Sequence, residues 1–203
     1  MRSVLSVVSV LLALPAVVLA AEPSKPAAEY TVKAAFVYKF MLFTEWPQTK
    51  LPDKDQPFIL SIIGEDPFGD AFKPLQNELV QGHKVDIQHV RGIHGLDESD
   101  KATRNKICQA LISSHMVFIC PSEQKHIAEI LKMIEGHSIL VVADTPGFIE
   151  AGGMIGLCVE NAKVRFDVNK IAITKADLKV SSQLLRLARN VILKNGNGDS
   201  GKN

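Results

Sequence analysis

The 203-residue chain carries 23 Lys and Arg against 22 Asp and Glu, a formal charge of +1. That balance excludes the basic footprint on which nucleic-acid binding depends. It also leaves a chain long enough to build a hydrophobic core without relying on disulfides.

The first element is a leader. Arg2, the apolar run from Val4 to Leu14, Pro15 and the small-residue site Val18-Leu19-Ala20 read as an export signal, residues 1–20, cleaved after Ala20. The alternative is an uncleaved anchor helix, which needs about 20 apolar residues; Pro15 and the small residues favour cleavage. Removing Met1 to Ala20 takes away Arg2 and no acid, so the formal charge falls from +1 to 0. No later segment has a comparable apolar run, so residues 21–194 are expected to form one soluble domain.

Tyr30-Thr31-Val32-Lys33-Ala34-Ala35-Phe36-Val37-Tyr38-Lys39-Phe40 reads as a helix with no continuous polar face, calling for burial on several sides. Pro47, after Glu45-Trp46, is expected to stop it. A polar linker, 48–56, leads to a buried strand, Phe58 to Gly64. Asp66-Pro67 marks a helix start, with Pro74 keeping that helix short or irregular. Lys84 to Val90 alternates, as a strand near a sheet edge does. Lys101 to Ser113 is helical, with Ile107, Ala110 and Leu111 inward; His115 to Cys120 is a buried strand, and Glu123 to Ile134 a helix after Pro121-Ser122. Ser138 to Val142 is a strand, followed by the loop Ala143 to Phe148.

This alternation of strand and helix predicts an α/β fold, a mainly parallel sheet with helices on both faces. The ending differs. Gly153–Val159 and Lys163–Val168 are too close for a parallel crossover and form a hairpin. Ser182 caps a terminal helix with Leu184, Leu187, Ala188, Val191 and Ile192 opposite Arg186, Arg189 and Lys194. Residues 195–203 read as a disordered tail.

Catalytic patterns are missing: no phosphate loop, no nucleophile elbow, no His-Glu-x-x-His. The six histidines lack metal-ligand spacing, so neither metal nor cofactor is expected. Three loops follow carboxyl ends of parallel strands and bring Asp66, Ser122 and Asp144 to the edge where open α/β sheets bind small molecules. Helix capping explains Asp66 and Ser122 fully and is the favoured reading of them. Cys108, Cys120 and Cys158 are odd in number, so at least one thiol is free or pairs between chains. A Cys108–Cys120 bridge would close a short loop; buried free thiols account for the pattern as well.

Six segments occur together and in order: the opening helix, Gly64-Glu65-Asp66-Pro67-Phe68-Gly69, His115 to Ile119, Phe148 with Gly152-Gly153-Met154-Ile155, Val164 to Asn169, and Ser181-Ser182-Gln183-Leu184-Leu185-Arg186-Leu187-Ala188. In this they resemble the YfiR family across nearly the whole chain after the leader. The resemblance implies an exported α/β domain of the periplasm, not an enzyme, that represses a membrane diguanylate cyclase by engaging its periplasmic part. It lowers cyclic di-GMP and so controls biofilm formation. It further implies release of that repression by an OmpA-like outer-membrane lipoprotein. Partner contact falls by resemblance on Phe148, Gly152, Gly153, Met154 and Glu160; the competing reading puts Phe148 in the core and Glu160 in a solvated turn. The two end helices are candidates for homodimer formation. The likeness stops at the cysteines: where redox-tuned members carry pairs, this chain has Val142, Ile149 and Ser114, so their disulfides do not transfer. The competing function is a periplasmic small-molecule sensor or carrier using the strand-end crevice.

Overall fold

The computed structural model describes residues 25–193 except 77 and 98. The expected leader and tail lie outside the described residues.

An eight-stranded sheet forms the centre. Its strands are β2 (Phe58–Ile63), β3 (Leu79–Val80), β4 (His83–Val90), β5 (Met116–Ile119), β6 (Leu140–Ala143), β7 (Ile155–Glu160), β8 (Lys163–Asn169) and β10 (Asn190–Ile192). The order is β10-β8-β7-β6-β5-β2-β4-β3. Every pairing is parallel except β7 with β8 and β3 with β4. The expected mainly parallel α/β sheet is therefore present, with β4 one strand from the edge.

Period-2 alternation splits the core between the two faces. Leu60, Ile62, Met116, Phe118 and Cys120 pack under α1 (Lys25–Leu42), while Ile63, Val117 and Ile119 join Ile107 and Leu111 of α2 (Lys101–Ile112) and Ile130 of α3 (Ile127–Met133). Helices thus cover both faces. In α1 the buried residues Ala34, Val37, Phe40 and Met41 follow helical spacing, and Val32 and Leu42 stay exposed. Half-buried Tyr30, Phe36 and Tyr38 widen that contact on its flanks, and Thr31, Val32, Ala35, Lys39 and Leu42 form the exposed face.

Several boundaries depart from the sequence reading, each for a local reason. Helix α1 ends at Leu42, before Pro47, because Thr44 and Glu45 form β1 against β9 (Lys179–Val180). Trp46 is held separately, its indole N–H donating to the His115 carbonyl at 3.1 Å. The segment after Asp66 is a 3₁₀ turn, Gly69–Leu75, with Pro74 inside it; proline cannot sustain the α-helical ladder. Pro121–His126 is likewise 3₁₀ and precedes the α-helix. Gln81 and Gly82, both at positive φ, close the β3–β4 hairpin. Asn161 and Ala162 do the same for β7–β8, the hairpin the spacing predicted.

The C-terminal region departs most. Asn169 caps an unforeseen helix α4 (Lys170–Lys175), its Oδ1 accepting from Ala172 N–H at 3.0 Å. The terminal helix exists but is short: α5 (Ser182–Leu187) is capped by Ser181, not Ser182, and the chain then turns extended at Ala188. Arg189 N–H donates to the Phe166 carbonyl, and β10 joins the sheet beside β8. Val191 and Ile192 therefore belong to an edge strand rather than to a helical stripe.

Candidate functional site

Two groups of polar residues occupy the carboxyl edge of the parallel strands. The first lies where β2 and β5 are adjacent and the chain has crossed from one side of β2 to the other. Ser122 Oγ accepts the Glu65 N–H at 2.9 Å. Glu123, fully buried, accepts the N–H groups of Ile93 and His94 at 2.7 and 3.1 Å and pairs with the His94 ring. Burial alone would raise the Glu123 pKa, but the hydrogen bonds from His94 and the two backbone groups prevail and hold it below the usual carboxylate range. Those bonds, chiefly the contact with Glu123, raise the His94 pKa. A Cβ on Gly64 would stand 2.4 Å from Ser122 Oγ, so the loops touch with no space between them.

The second group lies where α1 crosses the end of β6. Asp144 Oδ2 accepts from Lys33 Nζ at 2.7 Å and from the Tyr30 hydroxyl at 2.8 Å. Lys33 also pairs with Glu29 at 2.6 Å, one helical turn back. The Lys33 and Asp144 side chains are 6% and 2% exposed. Burial opposes the charge on Lys33, yet the bonds to Asp144 and Glu29 win and raise its pKa. Burial, reinforced by Asp144, pushes the Tyr30 phenol up. A cleft of about 460 Å³ opens beside this group, reaching Asp167 and Arg189.

The expected crevice of Asp66, Ser122 and Asp144 is therefore corrected. Asp66 Oδ1 accepts the Phe68 N–H, Ser122 is bonded to Glu65, and Asp144 faces α1. Only Asp144 lines the cleft. Ser122 is not a helix cap either, since Cys120 occupies that position without a side-chain bond.

The Cys108–Cys120 bridge is corrected too: all three cysteines are free. Cys120 points to the α1 side of the sheet, whereas α2, which carries Cys108, packs on the opposite side. Cys108 Sγ lies 3.6 Å from the Met133 carbonyl of α3.

The expected partner loop divides. Phe148 is 1% exposed and belongs to the core beneath α2 and α3, so it presents no anchor to a partner. Gly153 is buried against its ring, and Met154 is half-buried with Sδ near the Val141 N–H. Gly152 and Glu160 are exposed, as is Val159 at the hairpin. Exposed residues thus cluster at the turns, while the aromatic is spent on packing.

The YfiR/HmsC-like family model matches residues 30–189. The chain belongs to the YfiR/HmsC-like family. The match spans all six motifs and, apart from Glu29, both polar groups. The family is one of periplasmic regulators rather than enzymes. A search of the curated proteins finds no match. Among solved structures, a conserved domain protein from Vibrio cholerae O1 biovar eltor shares the fold at a TM-score of 0.53 and 10% identity. The alignment covers 78% of this chain and 59% of that one, so this YfiR/HmsC-like chain spans under two thirds of its structural neighbour.

Sequence reasoning passed over Glu29, Lys33, Thr145 and Arg189. The readable signal was Glu29 and Lys33, an i,i+4 ion pair in a helix otherwise rich in apolar residues. Arg189 carried none, because it was placed on a helix that does not exist there.

Proposed function

We propose that this protein represses a membrane-bound diguanylate cyclase by binding its periplasmic part, so lowering cyclic di-GMP and restraining biofilm formation. Membership in the YfiR/HmsC-like family across residues 30–189 carries this reading. The contact surface is the exposed β7–β8 hairpin with Val159 and Glu160, together with the Gly152 turn. An OmpA-like lipoprotein of the outer membrane relieves repression by competing for the protein. Residues 1–20 direct export, and the mature chain begins near Ala21; intact mass of periplasmic protein checks this. The groove of about 290 Å³ between Val32, Phe36, Phe166 and Leu187 supports association with a second copy.

The deciding experiment is capture of membrane proteins on the immobilised protein, with cyclic di-GMP measured in cells lacking it. Recovery of a diguanylate cyclase and a rise in the nucleotide are expected. Val159→Asp, on an exposed position, should weaken capture without altering the fold. An unchanged cyclic di-GMP level with no cyclase recovered rejects the proposal.

A further inference from the structure

Two buried polar atoms beside the α1–β6 cleft have no hydrogen-bond partner among the described residues: Asp144 Oδ1 and Thr145 Oγ1. Both residues line the cleft, and Thr145 is 6% exposed. Buried acceptors are rarely left unpaired, because the loss of water is then uncompensated. No described residue completes this pair.

The charge of the walls selects its sign. Four carboxylates, Glu29, Asp144, Glu150 and Asp167, line the cleft against two cations, Lys33 and Arg189. Neither cation is idle. Lys33 is already held between Glu29 and Asp144 Oδ2, and Arg189 donates to Asp167 through Nε at 2.9 Å and a second nitrogen at 2.5 Å. The excess is negative, and the open acceptor is a carboxylate oxygen. A cation with N–H donors satisfies both conditions. A metal ion does not fit as well, since the described residues hold no group of three or more His, Cys, Asp or Glu able to bind one.

Size and lining select the rest. The volume of about 460 Å³ falls within the roughly 300–1,000 Å³ of small-molecule pockets. Pro146 and Val159, both exposed, add apolar wall for a carbon skeleton. We propose that this cleft binds a small organic molecule bearing a primary ammonium group, which donates to Asp144 Oδ1 and Thr145 Oγ1. The site joins α1 to the strands of the exposed hairpin, and its occupancy stands whether or not the protein's partner is a cyclase.

Titration calorimetry on the purified protein tests this with 1,4-diaminobutane as the probe. Tetramethylammonium serves as a cation without N–H donors, and butan-1-ol and butanoate as neutral and anionic counterparts. Saturable binding of the diamine at about 1 mM or tighter is expected, with no saturable heat from the other three. Thr145→Val should weaken the diamine about fivefold, and Asp144→Asn about tenfold or more. If Asp144→Asn fails to fold, Thr145→Val decides alone, because that hydroxyl makes no hydrogen bond to any described residue. Absence of diamine binding, an equal response to tetramethylammonium, or unchanged affinity in the folded variants overturns the proposal; the last outcome leaves only water at the two atoms.

Discussion

Replacing Gly153 by alanine should strain the core beneath the β6–β7 loop, because a Cβ there would fall 2.3 Å from Phe148 Cε1 and 2.4 Å from Cζ. The ring cannot swing away freely, being 1% exposed and packed among the isoleucines and valines on the α2 side of the sheet. Overpacking of this kind costs about 1–3 kcal/mol. For a domain of this size each kcal/mol lowers Tm by roughly 2–4 °C. Phe148→Ala removes the ring and should cost about 3–5 kcal/mol through the cavity it leaves. In the double variant the new methyl has room, so its destabilisation should fall short of the sum by about 1–3 kcal/mol. Urea and thermal unfolding of all four proteins, followed by circular dichroism, complete the cycle. Additivity within about 0.5 kcal/mol would mean that the two residues do not touch. A Phe148→Ala protein of wild-type stability that loses partner binding would restore the ring as a surface anchor and refute its placement in the core.

Lys33→Met should lower stability by about 3–5 kcal/mol, since it leaves the Asp144 carboxylate buried without its cation; adding Asp144→Leu should recover much of the loss in denaturant melts. The stability gap between wild type and His94→Ala should follow pH with a defined sign. The raised His94 pKa makes its contribution full below the ordinary histidine value and lost as pH rises through the folded one. The depressed Glu123 pKa makes its own contribution present above the ordinary carboxylate value and lost as pH falls through the folded one. The gap should therefore be widest between about pH 4.5 and 6.5 and close on the alkaline side; a gap that widens above neutrality contradicts the pairing. With all three thiols free, melts with and without reductant should coincide, and a loss above about 2 kcal/mol on reduction would reveal a structural bridge.

Hydrophobic pattern alone determined the larger elements. The runs Phe58 to Gly64, His115 to Cys120 and Ser138 to Val142 read as buried strands, and β2, β5 and β6 fall on them, β6 shifted to Leu140–Ala143. The short link Glu160-Asn161-Ala162 was too brief for a parallel crossover and left a hairpin, in which Glu160 pairs with Lys163. Ordered motifs likewise made the family legible, since they extend over most of the chain. Two of the short strands escaped notice because their pairing is long-range: Thr44–Glu45 is a strand only because Lys179–Val180 lies opposite. Val191 and Ile192 fit a helical stripe in one dimension, and only the open edge of β8 made them a strand.

The sites divide in the same way. Asp144 could be placed at a strand end from sequence, but its partners Tyr30 and Lys33 lie more than a hundred residues away. Which face of β5 Cys120 takes, and hence that it cannot meet Cys108, depended on which helix covered which side of the sheet. Phe148 is the plainest case. Sequence left it open between a surface anchor and a core residue; Gly153 has no side chain to block the ring, and the ring turns inward. Local sequence sets where the chain can turn and which residues seek burial; which distant group fills each space is settled only when the layers pack.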